Sequence, residues 1–307
     1  MYFKGSAEPV SLFLQRACLP VRRCFIGGYF SSKGGEKMGI IAEKNKQSWN
    51  TGAAAYSALL HSEKYLAPIL KEPAKAFHHS TWKLIQKYVP DLRGKKICIP
   101  SSGDNHAVFA FAMLGAKVTS CDISENQLAN AEKIARRYEW GQSIEFICAD
   151  TMVLEGIADN SYDFVYTSNG VHVWINDLHG MYYHIHRILK KEGVYIMYDI
   201  HPFLRPFDDD LKVKKTYDNT GPFEANGEIT FAWRVMDIMN AIIDANLCIC
   251  HMEEMFAEKD YDWPFWISQQ EIENGVKIAP EEVDAMHDWR NNPIMALPSW
   301  ISLVAKK

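Results

Sequence analysis

Hydrophobic and polar positions recur along this chain with two different periods, and the switches between them mark its elements. Short runs rich in Val, Ile, Cys, Phe and Tyr occupy 96–100, 117–121, 144–148, 164–167 and 194–199. Runs of that length, bounded by turn residues, predict strands. Between them, 105–114, 125–137 and 177–190 carry apolar residues at three-to-four spacing and predict helices. Strands that alternate with helices of this length pair in parallel through right-handed crossovers, so the expected fold class is α/β with a doubly wound, Rossmann-like sheet. Ser124 and Gln127 have the spacing of a capping box at the start of the second of these helices. Gly193, which follows RILKKE, is expected to close the third, with basic residues in its last turn.

Ahead of the sheet, KQSWNTGAAAYSALL and HHSTWKLIQKYV predict two helices, with Trp82, Ile85 and Val89 on a buried face. Pro90 and Gly94 then break the chain. Beyond the sheet's fifth strand, HPFLRPFDDD and YDNTGPFEANG are expected to form a mobile loop and FAWRVMDIMNAIIDANL a helix. The stretch 253–298 is rich in aromatics, namely Phe256, Tyr261, Trp263, Phe265, Trp266 and Trp289. It reads equally well as a cap over a pocket and as a packed surface excursion.

Composition narrows the classes. A length of 307 residues suits one large α/β domain with additions, or two small domains. A net charge of -5 gives no basic face for nucleic acid. No apolar run reaches the roughly 20 residues that cross a bilayer. The seven cysteines are scattered without CxxC or finger spacing and are read as reduced, buried small side chains. Neither Cys248 and Cys250 nor His184 and His186 are read as a metal pair, and no metal is expected. Residues 9–35 lack any acidic residue while holding Arg16, Arg22, Arg23 and Lys33, as in a mitochondrial presequence. A tail of no structure, or a true start at Met38 with a cytoplasmic protein, are the alternatives.

The chemistry gathers at strand ends. Where a nucleotide-binding turn has three glycines, this chain has Ser101, Gly103 and Asn105. Gly103 permits a close backbone approach, Asn tolerates a left-handed conformation, and Ser101 is small. Asp122 ends the second strand, where a carboxylate can accept both hydroxyls of a ribose. Asp150 ends the third. Each could equally be an ordinary strand-end cap.

These motifs resemble the class I S-adenosylmethionine-dependent methyltransferases, above all the small-molecule group that includes the ubiquinone and menaquinone enzymes. The resemblance covers about residues 46–245, and LPSWISLVAKK resembles that fold's last strand. It implies that the turn holds the methionine part of the cofactor S-adenosylmethionine. It implies that Asp122, with Ile123 beside it, holds the ribose, and that Asp150, with Thr151 and Met152, meets the adenine. SYDFVYTSNGVHVW, which includes Asn169, resembles the fourth-strand motif and its loop. SWNTGAAAY, with Trp49 and Tyr56, resembles the segment that closes over the cofactor. The family's acidic residue inside the first strand is Ile99 here, which makes Asp104 a candidate replacement.

The resemblance implies methyl transfer to a small-molecule acceptor, quinone-like or phenolic if the aromatic stretch caps it. His172 and His201 are candidate bases, each also readable as a histidine making one structural hydrogen bond. A non-methylating adenosylmethionine-binding protein and an NAD-dependent oxidoreductase are the alternatives. The implied division is a leader (1–37), an N-terminal helical lid (38–94), a cofactor-binding core (95–205), a substrate cap with its closing helix (206–298) and a last strand (299–307).

Overall fold

A computed structural model describes residues 32–208, 212–257 and 279–307 of the chain. It opens with α1 (Ser32–Leu60), α2 (Glu63–Lys71) and α3 (His79–Tyr88). The core alternates β1 (Lys96–Ile99), α4 (His106–Met113), β2 (Lys117–Asp122), α5 (Glu125–Arg137), β3 (Ile144–Cys148), β4 (Tyr162–Ser168), α6 (Leu178–Ile188) and β5 (Leu189–Ile200). A hairpin of β6 (Phe223–Ala225) and β7 (Glu228–Thr230) follows, then α7 (Val235–Asp244), β8 (Cys248–Met255), α8 (Pro280–Met286) and β9 (Trp300–Lys306).

The seven-stranded sheet runs β3-β2-β1-β4-β5-β9-β8. The first five strands are parallel, and β9 is antiparallel to both β5 and β8. Strand order reverses between β1 and β4, and that reversal opens a crevice at their carboxyl ends. Both faces of the sheet are covered, as a parallel sheet requires. Side chains alternate between the two layers: Ile97, Ile99, Phe164, Tyr166, Ile196 and Tyr198 pack with Leu84, Ile85, Phe109 and Ala131 on one side. Cys98, Val165, Tyr195, Met197 and Leu303 pack with Met181, Ile185, Ile238 and Ile242 on the other.

The expected strands and helices lie where the pattern put them, with three differences. The stretch before Gly193 is strand, not helix: α6 stops at Ile188 and Leu189 already pairs with Tyr162. A register shift between Tyr162 and Phe164 in β4 accommodates the added residues, so Gly193 lies inside β5 and caps nothing. Its place is fixed by crowding, since a Cβ there would lie 2.8 Å from the Lys190 carbonyl oxygen. The expected loop at YDNTGPFEANG contains the β6–β7 hairpin, turned by Asn226 and Gly227 at φ 52° and 82°. Two positive φ values are what a two-residue hairpin turn needs. Finally, α1 runs through the boundary drawn at residue 38. Trp263 and Trp266, with most of the aromatic stretch, lie outside the described residues; Phe256 and Trp289 are within them and exposed.

Candidate functional site

The turn after β1 is built differently from a three-glycine turn. Ser101 takes the left-handed conformation at φ 49°, which costs a non-glycine residue about 1 kcal/mol or more, and Gly103 takes it again at φ 51°. The Ser101 hydroxyl meets the Thr151 hydroxyl at 2.7 Å, tying the turn to the loop after β3. Asn105 is not left-handed, as its residue type would have allowed. It is extended, and its Oδ1 accepts from the Ala107 N–H at 2.9 Å as the cap of α4. Its Nδ2 donates to Ser168 Oγ at the end of β4, bridging the mouth of the crevice. A Cβ at Gly103 would lie 2.5 Å from Gln127 Oε1, so the Gln127 amide would have to move, and the positive φ would add strain. Ser124 Oγ does cap α5 by accepting from the Gln127 N–H.

Asp122 is 6% exposed, and its carboxylate accepts from the Gly103 N–H at 2.7 Å and the Ser124 N–H at 2.8 Å. Burial nevertheless pushes it up to about 6. The two amides aim the group, and a carboxylate has lone pairs for two further donors. Asp104 is buried beside it and is raised to about 7, first by burial and then by the Asp122 charge. Its Oδ2 has no hydrogen-bond partner. Asp150 accepts from the Met152 N–H at 2.8 Å, and burial raises it as well. Ile123 is half-buried between these strand ends.

Helix α1 closes over this side. Asn50 Oδ1 accepts from Ser124 Oγ at 2.7 Å and from the Asn126 N–H, an anchor that the sequence reading missed. Trp49 meets Trp174, from the loop after β4, edge to face at 5.0 Å, and meets Tyr56 at 5.4 Å. At the far end of α1, His106 Nε2 donates to the Leu60 carbonyl, and the His61 ring bonds the Asp104 carbonyl oxygen. Burial holds His106 down at about 4, so it is neutral.

On the other side of the crevice, Asn169 and Gly170 turn the chain out of β4 with positive φ, and Asn169 N–H donates to the Tyr198 carbonyl. His172 follows, 5% exposed. Its Nδ1 lies 2.6 Å from Asp199 Oδ2, and its Nε2 lies 2.6 Å from the Tyr182 hydroxyl. The Asp199 carboxyl is held low by His172 against the opposing effect of burial. His201 is buried too: Nδ1 accepts from the Phe203 N–H and Nε2 donates to Glu254. Both candidate bases therefore have both ring nitrogens engaged. A charged residue inside the apolar run VYIMYDI was the signal for Asp199; nothing in the spacing marked Tyr182. Among the described residues no cluster of His, Cys, Asp and Glu could hold a metal. A separate cleft over β2 and β3, around Thr119, Glu145 and Tyr162, contains none of these groups.

Comparison with known proteins agrees with this geometry. Residues 100–197 match the family model described as a methyltransferase domain. The chain is 27% identical over 157 residues to the sterol 24-C-methyltransferase ERG6B of Gibberella zeae, covering 50% of this chain and 39% of that protein. It thus spans well under two thirds of that relative. Its fold is similar to an S-adenosylmethionine-dependent methyltransferase from Mesorhizobium loti, with TM-score 0.55, 20% identity, and 74% and 97% of the two chains covered. It is also similar to geranyl diphosphate C-methyltransferase from Streptomyces coelicolor, whose structure holds S-adenosyl-L-homocysteine, with TM-score 0.53, 14% identity, and 87% and 98% covered. The domain match across the ends of β1 to β5 makes residues 100–197 a methyltransferase domain, and the doubly wound sheet closed by an antiparallel strand is the fold of the methyltransferase structures it resembles.

Proposed function

We propose that the protein transfers the methyl group of S-adenosylmethionine to a small-molecule acceptor with a planar, apolar body, quinone-like or phenolic. The observation that carries this reading is the pair of buried carboxylates at one crevice, Asp122 aimed by two backbone amides and Asp104 with an unpartnered oxygen. An orphaned buried acceptor needs a donor, and the cofactor's ammonium group is one. Asp104 then takes the place of the acidic residue that Ile99 replaces. Asp122 would accept the ribose hydroxyls with Ile123 against the adenine, and Asp150 and Thr151 would face the adenine edge. Ser101, Gly103 and Asn105 leave the turn open to the methionine chain. Asn169 shapes the loop opposite.

The cofactor supplies an electrophilic methyl on a sulfonium, already a good leaving group. The chain's task is then alignment and exclusion of water. Trp49, Tyr56 and Trp174 would do the excluding from above. His172, seated between Asp199 and Tyr182, would orient the acceptor side, and a proton could leave it only through Tyr182. His201 would hold the turn after β5. A nicotinamide cofactor has less support: its pyrophosphate needs free amides at the start of α4, and Asn105 takes one of them. Residues 1–37 we propose as a targeting presequence.

The test is calorimetric titration of the full chain with S-adenosylmethionine, beside Asp122→Ala, followed by methyl transfer to a panel of phenols and quinols. Tight binding by the wild type, at least tenfold weaker binding by the variant, and an unchanged melting temperature are expected. Unchanged affinity in the variant removes the ribose assignment, and binding without any transfer favours a non-methylating protein.

A further inference from the structure

Arg205 caps the short helical turn Pro202–Leu204 that leaves β5. With His172, Asp199, Phe231, Trp233 and Ile238 it lines a small cavity beyond the carboxyl ends of β4 and β5. Among the described residues, the other half-buried guanidinium groups have acceptors. Arg187 donates to the carbonyls of Leu154 and Ile157 and to Asp159, and Arg234 grips Asp237 with two nitrogens. The Arg205 guanidinium has no hydrogen-bond or ion-pair partner among the described residues.

Asp199 is the one carboxylate lining the cavity, and its oxygens are spent: Oδ2 on the His172 N–H and ring, Oδ1 on the Ile200 N–H. A second cation stands close by. Lys215 donates to the Asn219 carbonyl and lies over the Phe223 ring, and burial together with the Arg205 charge lowers its ammonium. Arg205 and Lys215 thus outnumber the single buried carboxylate. Around them stand apolar walls, with Phe231 and Trp233 stacked 5.6 Å apart at 8°. A half-buried fork of donors with no acceptor in the protein is free to bind an oxyanion in place of water.

We propose that Arg205 anchors an oxyanion on the methyl acceptor, so that the substrate is a small acid whose planar body lies against Phe231 and Trp233. This rests on the methyl-transfer reading and narrows it. A guanidinium binds a carboxylate or a phosphate with two parallel hydrogen bonds, whereas a neutral phenol or quinone offers it only one weaker acceptor. The cavity measures about 10 Å³, room for one water. Only an oxyanion's own oxygen fits in that space, and the body of the acceptor enters only if the 231–233 strap gives up its hydrogen bonds to Val173 and Ile175.

The full chain, with and without S-adenosylhomocysteine, is titrated calorimetrically with 4-hydroxybenzoate, 4-hydroxybenzamide and 4-hydroxyphenyl phosphate. At least one of the two anions binds about tenfold or more tightly than the amide, and whichever is tighter names the kind of oxyanion. Arg205→Gln removes that preference while leaving the amide and S-adenosylhomocysteine affinities unchanged; Arg205→Lys, which keeps charge but not the fork, retains part of it. Equal affinities for anions and amide in the wild type overturn the proposal without needing a variant. So does an anion preference that survives Arg205→Gln, which would leave Arg205 as a counter-charge to Asp199. A chain that prefers the anions but does not bind S-adenosylhomocysteine keeps the oxyanion site and removes the methyl-transfer reading beneath it.

Discussion

Asp104 takes its behaviour from its surroundings. Burial, with Asp122 nearby, raises it to about 7, and burial raises Asp122 to about 6. A raised carboxyl favours the neutral form in the folded protein, so its contribution to stability is full below the ordinary carboxylate range. That contribution is lost as pH rises through about 7. Cofactor binding has the opposite sign, because an ammonium needs the ionised group. Affinity for S-adenosylmethionine is expected to fall as pH drops below 7. Asp104→Asn should unfold at higher urea at pH 8, by about 1–3 kcal/mol, and should bind the cofactor more weakly with a flat pH profile. Titrations at pH 5.5 and 8, with urea unfolding at both, read this; a variant that keeps the wild-type pH profile would take the ammonium away from Asp104. At this scale the strand-end acids Asp122 and Asp150 were legible, because a charged residue closing an apolar run is visible in the sequence. The left-handed Ser101 and the engaged rings of His172 and His201 were not: apart from the Phe203 N–H on His201 Nδ1, the ring nitrogens meet Asp199, Tyr182 and Glu254, 10 to 53 positions away.

Among elements, the β6–β7 hairpin is seated on α1, beside the cavity proposed for the acceptor. Asn45 is buried, donating Nδ2 to the Ile229 carbonyl and accepting from the Ile229 N–H, while Ser48 bonds Glu228 and Lys44 pairs with Glu224. Ile41, Ile229 and Phe231 make a small apolar cluster under the same contact. Asn45→Ala leaves two buried backbone groups unpaired and should cost about 2–3 kcal/mol locally. Hydrogen exchange at 228–232 should quicken, and KM for the acceptor should rise more than KM for the cofactor. Unchanged exchange there would mean that the apolar cluster alone holds the hairpin. The Asn226–Gly227 pair was a readable hairpin signal within the sequence, but flanking strands of three residues each are too short for alternation to announce them. The excess of helix predicted before Gly193 has a similar origin. RILKKE suits a helix locally, and pairing of Leu189 with Tyr162 overrides that preference.

For the whole molecule, Ile41 and Asn45, both beyond Met38, already bind α1 to the β6–β7 hairpin. A protein beginning at Met38 is expected to fold, bind S-adenosylmethionine and turn over like the full chain, while residues 1–37 fused to a reporter should carry it into mitochondria. Arg22→Glu with Arg23→Glu should stop that import. A cytosolic reporter sinks the targeting proposal alone, and a truncated chain that does not fold shows that the helix start at Ser32 is structural. The sequence by itself determined the alternating βα order, the parallel sheet and the strand ends where acids cluster, because periodicity and turn residues act over a few neighbours. Tertiary structure alone decided the rest. It brought Asn50 to Ser124, set Trp49 against Trp174, locked His172 between Asp199 and Tyr182, and left Arg205 without an acceptor. Each of these depends on chain segments meeting across the crevice, a meeting that local pattern cannot encode.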